Sequence, residues 1–193
     1  KWTKDAAARP GQTQDDGSTL LERDSFIAFM RSESFLEGDD YLLRDDIEEV
    51  NSRIYDTLNY GVYRSGFATT QEAYDEAVNA LFETMDWLEE RLSKSRYLMG
   101  ERITEADWRL VPTLFRFDLV YHLHFKCNRA RVIDYPNLWA YTRELYQVPG
   151  VAETVNFEHI VRHYHYSHET INPHRIIPTN PVIDWTEPHG RGI

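Results

Sequence analysis

Between residues 47 and 162 the apolar side chains return every three or four positions, and no stretch of useful length alternates with a period of two. That spacing lines them up on one face of a helix, so this region has to bury helix against helix rather than build a sheet. Ile47, Val50, Ile54 and Leu58 form one stripe. Thr69 and Glu72 have the spacing of a capping box, and after them Ala73, Ala77, Leu81, Met85, Leu88 and Leu92 predict a helix to about Ser95. A third helix starts at Thr104, carries Leu110 and Leu114, and runs to about His124 with Pro112 inside it, where a kink is expected. Pro136 suits the first position of a fourth, which holds Leu138, Trp139 and Leu145 and is stopped by Val148-Pro149-Gly150. A fifth is expected from about Val151 to Arg162. The fold class is all-α, a helical bundle with short connections and no internal repeat.

The two ends read differently. Residues 1–46 carry more acidic than basic side chains and include the turn-rich Arg9-Pro10-Gly11-Gln12-Thr13-Gln14-Asp15-Asp16-Gly17, which predicts an acidic arm or linker before a helical domain over 47–171. The Glu/Asp run at 37–49 reads as a solvated face at a helix start. Residues 172–193 hold Pro173, Pro178, Pro181 and Pro188, which favour an extended tail packed along a surface. A net charge of −11 without a Lys/Arg-rich run argues against nucleic acid or an anionic membrane as partner. Cys127 is the only cysteine, so no disulfide can form within the chain, a cysteine-based zinc site has too few ligands, and a reducing, cytoplasmic setting fits best. No apolar run approaches the roughly 20 residues that span a bilayer, and Lys1-Trp2-Thr3-Lys4-Asp5-Ala6 lacks the apolar core of a secretion signal, so a soluble, non-exported protein is expected.

One stretch has a mechanical meaning of its own. In Tyr97-Leu98-Met99-Gly100-Glu101-Arg102-Ile103-Thr104-Glu105-Ala106-Asp107, Gly100 permits a turn, Thr104 caps a helix and Asp107 completes the box, so Thr104 and Asp107 are assigned a structural role. The same pattern resembles the capping motif of the helical C-terminal domain of glutathione transferases. Further segments follow in order: Asn59-Tyr60-Gly61-Val62-Tyr63-Arg64-Ser65-Gly66-Phe67-Ala68-Thr69, Arg116-Phe117-Asp118, His124-Phe125-Lys126-Cys127-Asn128 and Asp134-Tyr135-Pro136-Asn137-Leu138. Beyond these lie Pro149-Gly150-Val151-Ala152-Glu153-Thr154-Val155-Asn156-Phe157, Ile171-Asn172-Pro173 and Glu187-Pro188-His189-Gly190-Arg191. Over about residues 44–193 this set resembles the glutathionyl-hydroquinone reductases, the Xi class of glutathione transferases. The resemblance implies a transferase C-terminal-like bundle and the glutathione-dependent reduction of glutathionyl-hydroquinones to hydroquinones. Members of that family place a thioredoxin-like domain with a Cys-Pro-Trp-Ala-like motif before the helices, and nothing in this sequence matches it. Gly17-Ser18 with Arg23, Ser25, Phe26 and Phe29 resembles the arm that precedes that domain.

The resemblance carries Tyr63 and Tyr164 over as hydroquinone-binding residues, with His168 close enough in sequence to Tyr164 to line the same pocket. A phenol hydroxyl can hold a quinone oxygen and stabilise developing phenolate charge while its ring packs on the substrate. Among 12 tyrosines, two amphipathic rings near helix ends are also ordinary packing residues, and Tyr60 and Tyr166 are adjacent alternatives. Cys127 would follow a helix C-terminus, where the dipole disfavours a thiolate, so it reads as structural rather than catalytic. His159 and His163 are four apart but lack the intervening Glu of a His-Glu-x-x-His zinc motif, and no metal site is assigned. Trp108, Trp139, Phe115, Phe117 and Tyr121 fall at helical spacing and read as core. The sequence thus predicts the aromatic-binding half of a glutathione-dependent enzyme acting as a homodimer. The rival is a non-catalytic binding or dimerisation module of the same fold.

Overall fold

The computed structural model describes residues 43–192, and over them the protein is an all-α bundle. The proposed arm at 1–46, apart from its last four residues, lies outside the described residues. Helix α1 spans Arg44–Ile54 and is followed by a π-helical turn, Tyr55–Asn59. Helix α2 spans Gly61–Gly66, α3 Gln71–Leu92 and α4 Glu105–Arg116. A second π turn, Phe117–Tyr121, leads into the single turn α5, His122–His124. Helices α6, Pro136–Tyr146, and α7, Phe157–Ser167, complete the set, with short 3-10 turns at Val132–Asp134 and Ala152–Thr154.

The stripes read from the sequence are the core. Ile47, Val50, Ile54 and Leu58 are buried, as are Ala77, Leu81, Met85, Leu88 and Leu92 of α3, Leu110 and Leu114 of α4, and Leu138 and Leu145 of α6. The acidic residues Asp45, Asp46, Glu48 and Glu49 of α1 are exposed. Several local expectations need correction. Helix α3 is capped by Thr70, whose hydroxyl accepts the Ala73 N–H at 3.2 Å, and not by a Thr69–Glu72 box. Ala73 is exposed, and the helix ends at Leu92. The helix from Thr104 does reach His124, but through the turn Phe117–Tyr121, where the His122 N–H bonds back to the Phe117 carbonyl. The extra residue in such a turn shifts the helical phase of everything after it. The final helix begins at Phe157 because Asn156, not a residue near 151, accepts the His159 N–H. It therefore extends through Ser167 and contains Tyr164 instead of ending before it.

Carboxylates, rather than backbone alone, join these helices. Asp107 is fully buried and accepts from the Leu98 N–H at 3.0 Å, the Thr104 N–H at 2.7 Å, the Thr104 hydroxyl at 3.0 Å and the Tyr141 hydroxyl at 2.8 Å. The cap of α4 is thereby also the clamp between the preceding loop and α6. Glu89 of α3 accepts the Asn137 and Leu138 N–H groups at the start of α6, and Asp118 accepts those of Val132 and Ile133. Each satisfies donors that a helix or turn start leaves unpaired.

The C-terminal segment is extended and tied down at two points. Trp185 is buried between Phe115, Trp139, Tyr146 and Phe157, with ring centroids 4.9–5.7 Å away. Arg191 donates to the buried Glu144 carboxylate at 3.0 Å and to the carbonyls of Leu92, Ser95, Arg96 and Asn137. Glu144 also accepts from Arg96 at 2.8 Å and from the Tyr97 hydroxyl at 2.7 Å. Burial and that carboxylate push the Tyr97 phenol up to about 12.

Asp107→Ala leaves two buried N–H groups, the Thr104 hydroxyl and one phenol without this acceptor, and should cost about 3 kcal/mol or more, whereas Tyr141→Phe removes one bond and should cost about 1 kcal/mol. Urea denaturation of both variants measures the difference, and equal losses would show that Asp107 acts only through Tyr141.

Candidate functional site

Tyr63 and Tyr164, 101 positions apart in the chain, meet at their hydroxyls, 2.6 Å from each other. Tyr63 sits in the middle of α2, directly after the first π turn, and Tyr164 lies on the inward face of α7. A third hydroxyl, that of Tyr121 at the end of the second π turn, lies 2.8 Å from Tyr164. π turns re-aim side chains without ending a helix, and here one stands before Tyr63 and the other delivers Tyr121. Reading Tyr121 as core was correct for its ring, which is 2% exposed, but missed its hydroxyl. The alternatives Tyr60 and Tyr166 are exposed, Tyr60 stacked on Tyr55 and Tyr166 beneath the Arg162 guanidinium.

The three phenols share an aromatic wall. Phe125 stacks on Tyr121 with centroids 5.5 Å apart and on the His168 imidazole at the same separation, and it lies 5.3 Å from Tyr63. Phe67 meets both Phe125 and His168 edge-on or tilted, at 5.4 and 5.0 Å. Gly66 makes this packing possible, since a Cβ there would lie 2.2 Å from the Phe125 ring. His168 is thus placed beside the phenols, but its Nδ1 shares a hydrogen bond with Nε2 of His124 at 3.0 Å. The His165 ring lies tilted against His124, with centroids 4.6 Å apart, and binds the Val161 carbonyl through Nδ1.

Three hydroxyls carry three protons. Two lie within the chain of bonds, so the cluster has one proton to offer an outside acceptor, not one from each of two tyrosines. With their oxygens 2.6 Å apart, Tyr63 and Tyr164 address one point in space rather than the two ends of a quinone. Burial raises the phenols of Tyr121 and Tyr164, the latter to about 12, so both stay protonated at neutral pH and act as hydrogen-bonding groups, not as bases.

Cys127 is buried and free, and burial pushes its thiol up to about 12, with only partial offset from Ser65 and Lys126. It is a packing residue behind the α5 turn, where Lys126 adopts a positive φ of 59°. His159 and His163 are exposed on α7, and among the described residues no group of three His, Cys, Asp or Glu side chains is arranged to hold a metal. A cleft of about 510 Å³ lies elsewhere, between α4 and the start of α7, lined by Trp108, Phe115, Arg116 and Ile160 among others, and it does not include the tyrosines. No helix among the described residues is long and apolar enough to cross a membrane.

Burial, then the neighbouring His165 and His168, depress the His124 imidazole to about 4, and burial lowers His168 as well. Between about pH 6.5, where a free imidazole titrates, and about pH 4 the unfolded chain binds the extra proton, so the stability present above pH 6.5 is lost on acidification. Melting curves at pH 7 and pH 4.5 should show a larger loss for the wild type than for His124→Asn, and equal losses would remove His124 as the cause.

Residues 71–144 match the family described as the C-terminal domain of glutathione S-transferase. The chain is similar to the glutathionyl-hydroquinone reductase YqjG of Escherichia coli (strain K12), at 56% identity over 158 residues, which cover 81% of this chain and 48% of the relative. The glutathionyl-hydroquinone reductase PcpF of Sphingobium chlorophenolicum is 54% identical over 149 residues, 76% of this chain and 48% of its own. The chain spans about half the length of the curated relatives it matches. Among solved structures, glutathione-bound YqjG aligns with a TM-score of 0.82 and 51% identity, over 90% of this chain and 59% of that one. The Xi-class transferase of Natrialba magadii aligns with a TM-score of 0.81 and 39% identity, over 92% and 57%. The chain thus carries the C-terminal helical domain of the glutathione S-transferases, and over about half of their length it is similar to glutathionyl-hydroquinone reductases and Xi-class transferases.

Proposed function

We propose that this chain serves the aromatic side of a glutathione-dependent reduction in which a glutathionyl-hydroquinone becomes a hydroquinone, with glutathione as co-substrate. The observation that carries the reading is the meeting of the Tyr63 and Tyr164 hydroxyls at the edge of an aromatic wall, in a chain whose relatives are named for that reaction. A thiolate takes the glutathionyl sulfur, forming a disulfide as the ring carbon–sulfur bond breaks. The same ring carbon has first taken up a proton as the ring shifts to its keto form, so the electron pair of the broken bond restores the aromatic ring with its charge on the former carbonyl oxygen as phenolate. The Tyr63 hydroxyl donates to that oxygen, where a preset donor is worth most as charge develops.

Cys127 is not the attacking thiolate, because its thiol is buried and that burial pushes it up to about 12. The sulfur nucleophile comes from glutathione or from outside this sequence. The same burial favours the second reading, a binding or dimerisation module without turnover. Incubating the full chain with menadione–glutathione conjugate and glutathione separates the two readings: release of menadiol supports the enzyme, and conjugate binding without release supports the module. The reading also includes a reducing, cytoplasmic setting and a homodimer, supported by the exposed apolar side chains of Leu123, Ile176 and Val182. Sedimentation at low micromolar concentration should show twice the chain mass, and a monomer would remove that part.

For binding itself, Tyr63→Phe keeps the ring and removes one neutral hydrogen bond, so menadione affinity should fall by about 0.5–1.5 kcal/mol. Cys127→Ala should leave that affinity unchanged. Titration calorimetry on both variants measures this, and a Tyr63→Phe protein that binds menadione as the wild type does would refute the assignment.

A further inference from the structure

The direction in which the three phenols pass their protons decides which of them faces a ligand as a donor. Tyr121 is 2% exposed and enclosed by the rings of Phe117, Phe125, Tyr63 and Tyr164. Among the described residues, the hydrogen-bond partner of its hydroxyl is the hydroxyl of Tyr164, at 2.8 Å. Were Tyr121 to accept only, its own proton would be buried without a partner, which is the more costly arrangement. Tyr121 therefore donates inward to Tyr164. The single proton of Tyr164 then goes to Tyr63, 2.6 Å away, and the proton of half-exposed Tyr63 is the one left for the outside.

We propose that Tyr121 is a positioning residue that sets the polarity of the chain Tyr121→Tyr164→Tyr63, so that the site offers a proton and selects an oxygen that accepts one, a quinone carbonyl or a phenolate. This rests on the reading of Tyr63 as a ligand contact and adds what that contact recognises. Because Tyr63 already accepts from Tyr164, its own O–H is polarised and becomes the better donor. Without Tyr121, Tyr164 no longer receives a proton, its oxygen is free to accept from Tyr63, and the outward proton can turn inward.

The test compares menadione with 2-methylnaphthalene, which has the same methylated ring pair and no oxygens. The readout is the ratio of their affinities in the full chain, in Tyr63→Phe and in Tyr121→Phe. A purely structural role for Tyr121 would shift both ligands together and leave the ratio unmoved. The wild-type ratio should exceed that of Tyr63→Phe by about 2- to 13-fold, the range for one neutral hydrogen bond. Tyr121→Phe should fall to within about twofold of Tyr63→Phe. If Tyr63→Phe loses the preference and Tyr121→Phe keeps it, the polarity proposal is overturned and the contact stands. If Tyr63→Phe keeps the wild-type ratio, the ligand contact itself is wrong and the proposal falls with it. Should Tyr121→Phe not fold, proton NMR of the wild type decides. The hydroxyl proton that bridges Tyr121 and Tyr164 should show its strongest Overhauser effect to the ring of Tyr121, and a strongest effect from that proton to the ring of Tyr164 overturns the proposal.

Discussion

The buried Asp107 carboxylate is the constraint on which the rest of the bundle depends. It is the cap of α4, the acceptor for the loop at Leu98 and the partner of Tyr141 on α6, all at once. Taking a carboxylate fully out of water is costly, and four donors converging on two oxygens offset that cost. Once α4 and α6 are set this way, Glu144, three residues beyond Tyr141 on α6, is available to hold Arg96 and Arg191. The path from the cap to the tail is thus a sequence of buried carboxylates, each fixed by the donors of the next element.

At the far end of α4 the same helical path delivers Tyr121. The turn Phe117–Tyr121 keeps the chain helical while changing its phase, and Phe125 on the other side of α5 packs over Gly66 of α2. The tyrosine cluster is therefore built from three separate segments that meet only because the core beneath them is rigid. Its chemistry follows from proton arithmetic. Three phenols bonded in series, with Tyr121 and Tyr164 raised in proton affinity by burial, leave one outward donor.

The tail contributes to stability rather than to this cluster. Trp185 fills the gap between α4, α6 and the start of α7, and Arg191 satisfies carbonyls at the C-terminal end of α3 and in the loop after it. An extended segment with four prolines cannot pair its backbone along a helix, so one aromatic anchor and one five-bonded guanidinium hold it instead.

What the sequence determined by itself is what depends on neighbours in the chain. The stripe through Leu81, Met85 and Leu88, the box at Thr104 and Asp107, and Pro136 at the head of α6 were all legible, because helical period and capping act over three or four residues. Tyr63, Tyr164 and His168 could be singled out only through family resemblance, since nothing local distinguishes them from other amphipathic rings. The role of Arg191 was not legible, nor was Tyr121 as a hydrogen-bonding partner, whereas the Asn156 cap that starts α7 spans only three residues and was open to reading. His124 beside His168 and the spacing of Tyr121 before it were the available hint, within a motif read only for its cysteine. The tyrosine cluster and the Arg191 anchor rest on contacts between residues 43 to 101 positions apart. Such contacts form only when packing has fixed where each helix points, and so the tertiary structure alone decided which hydroxyl faces out.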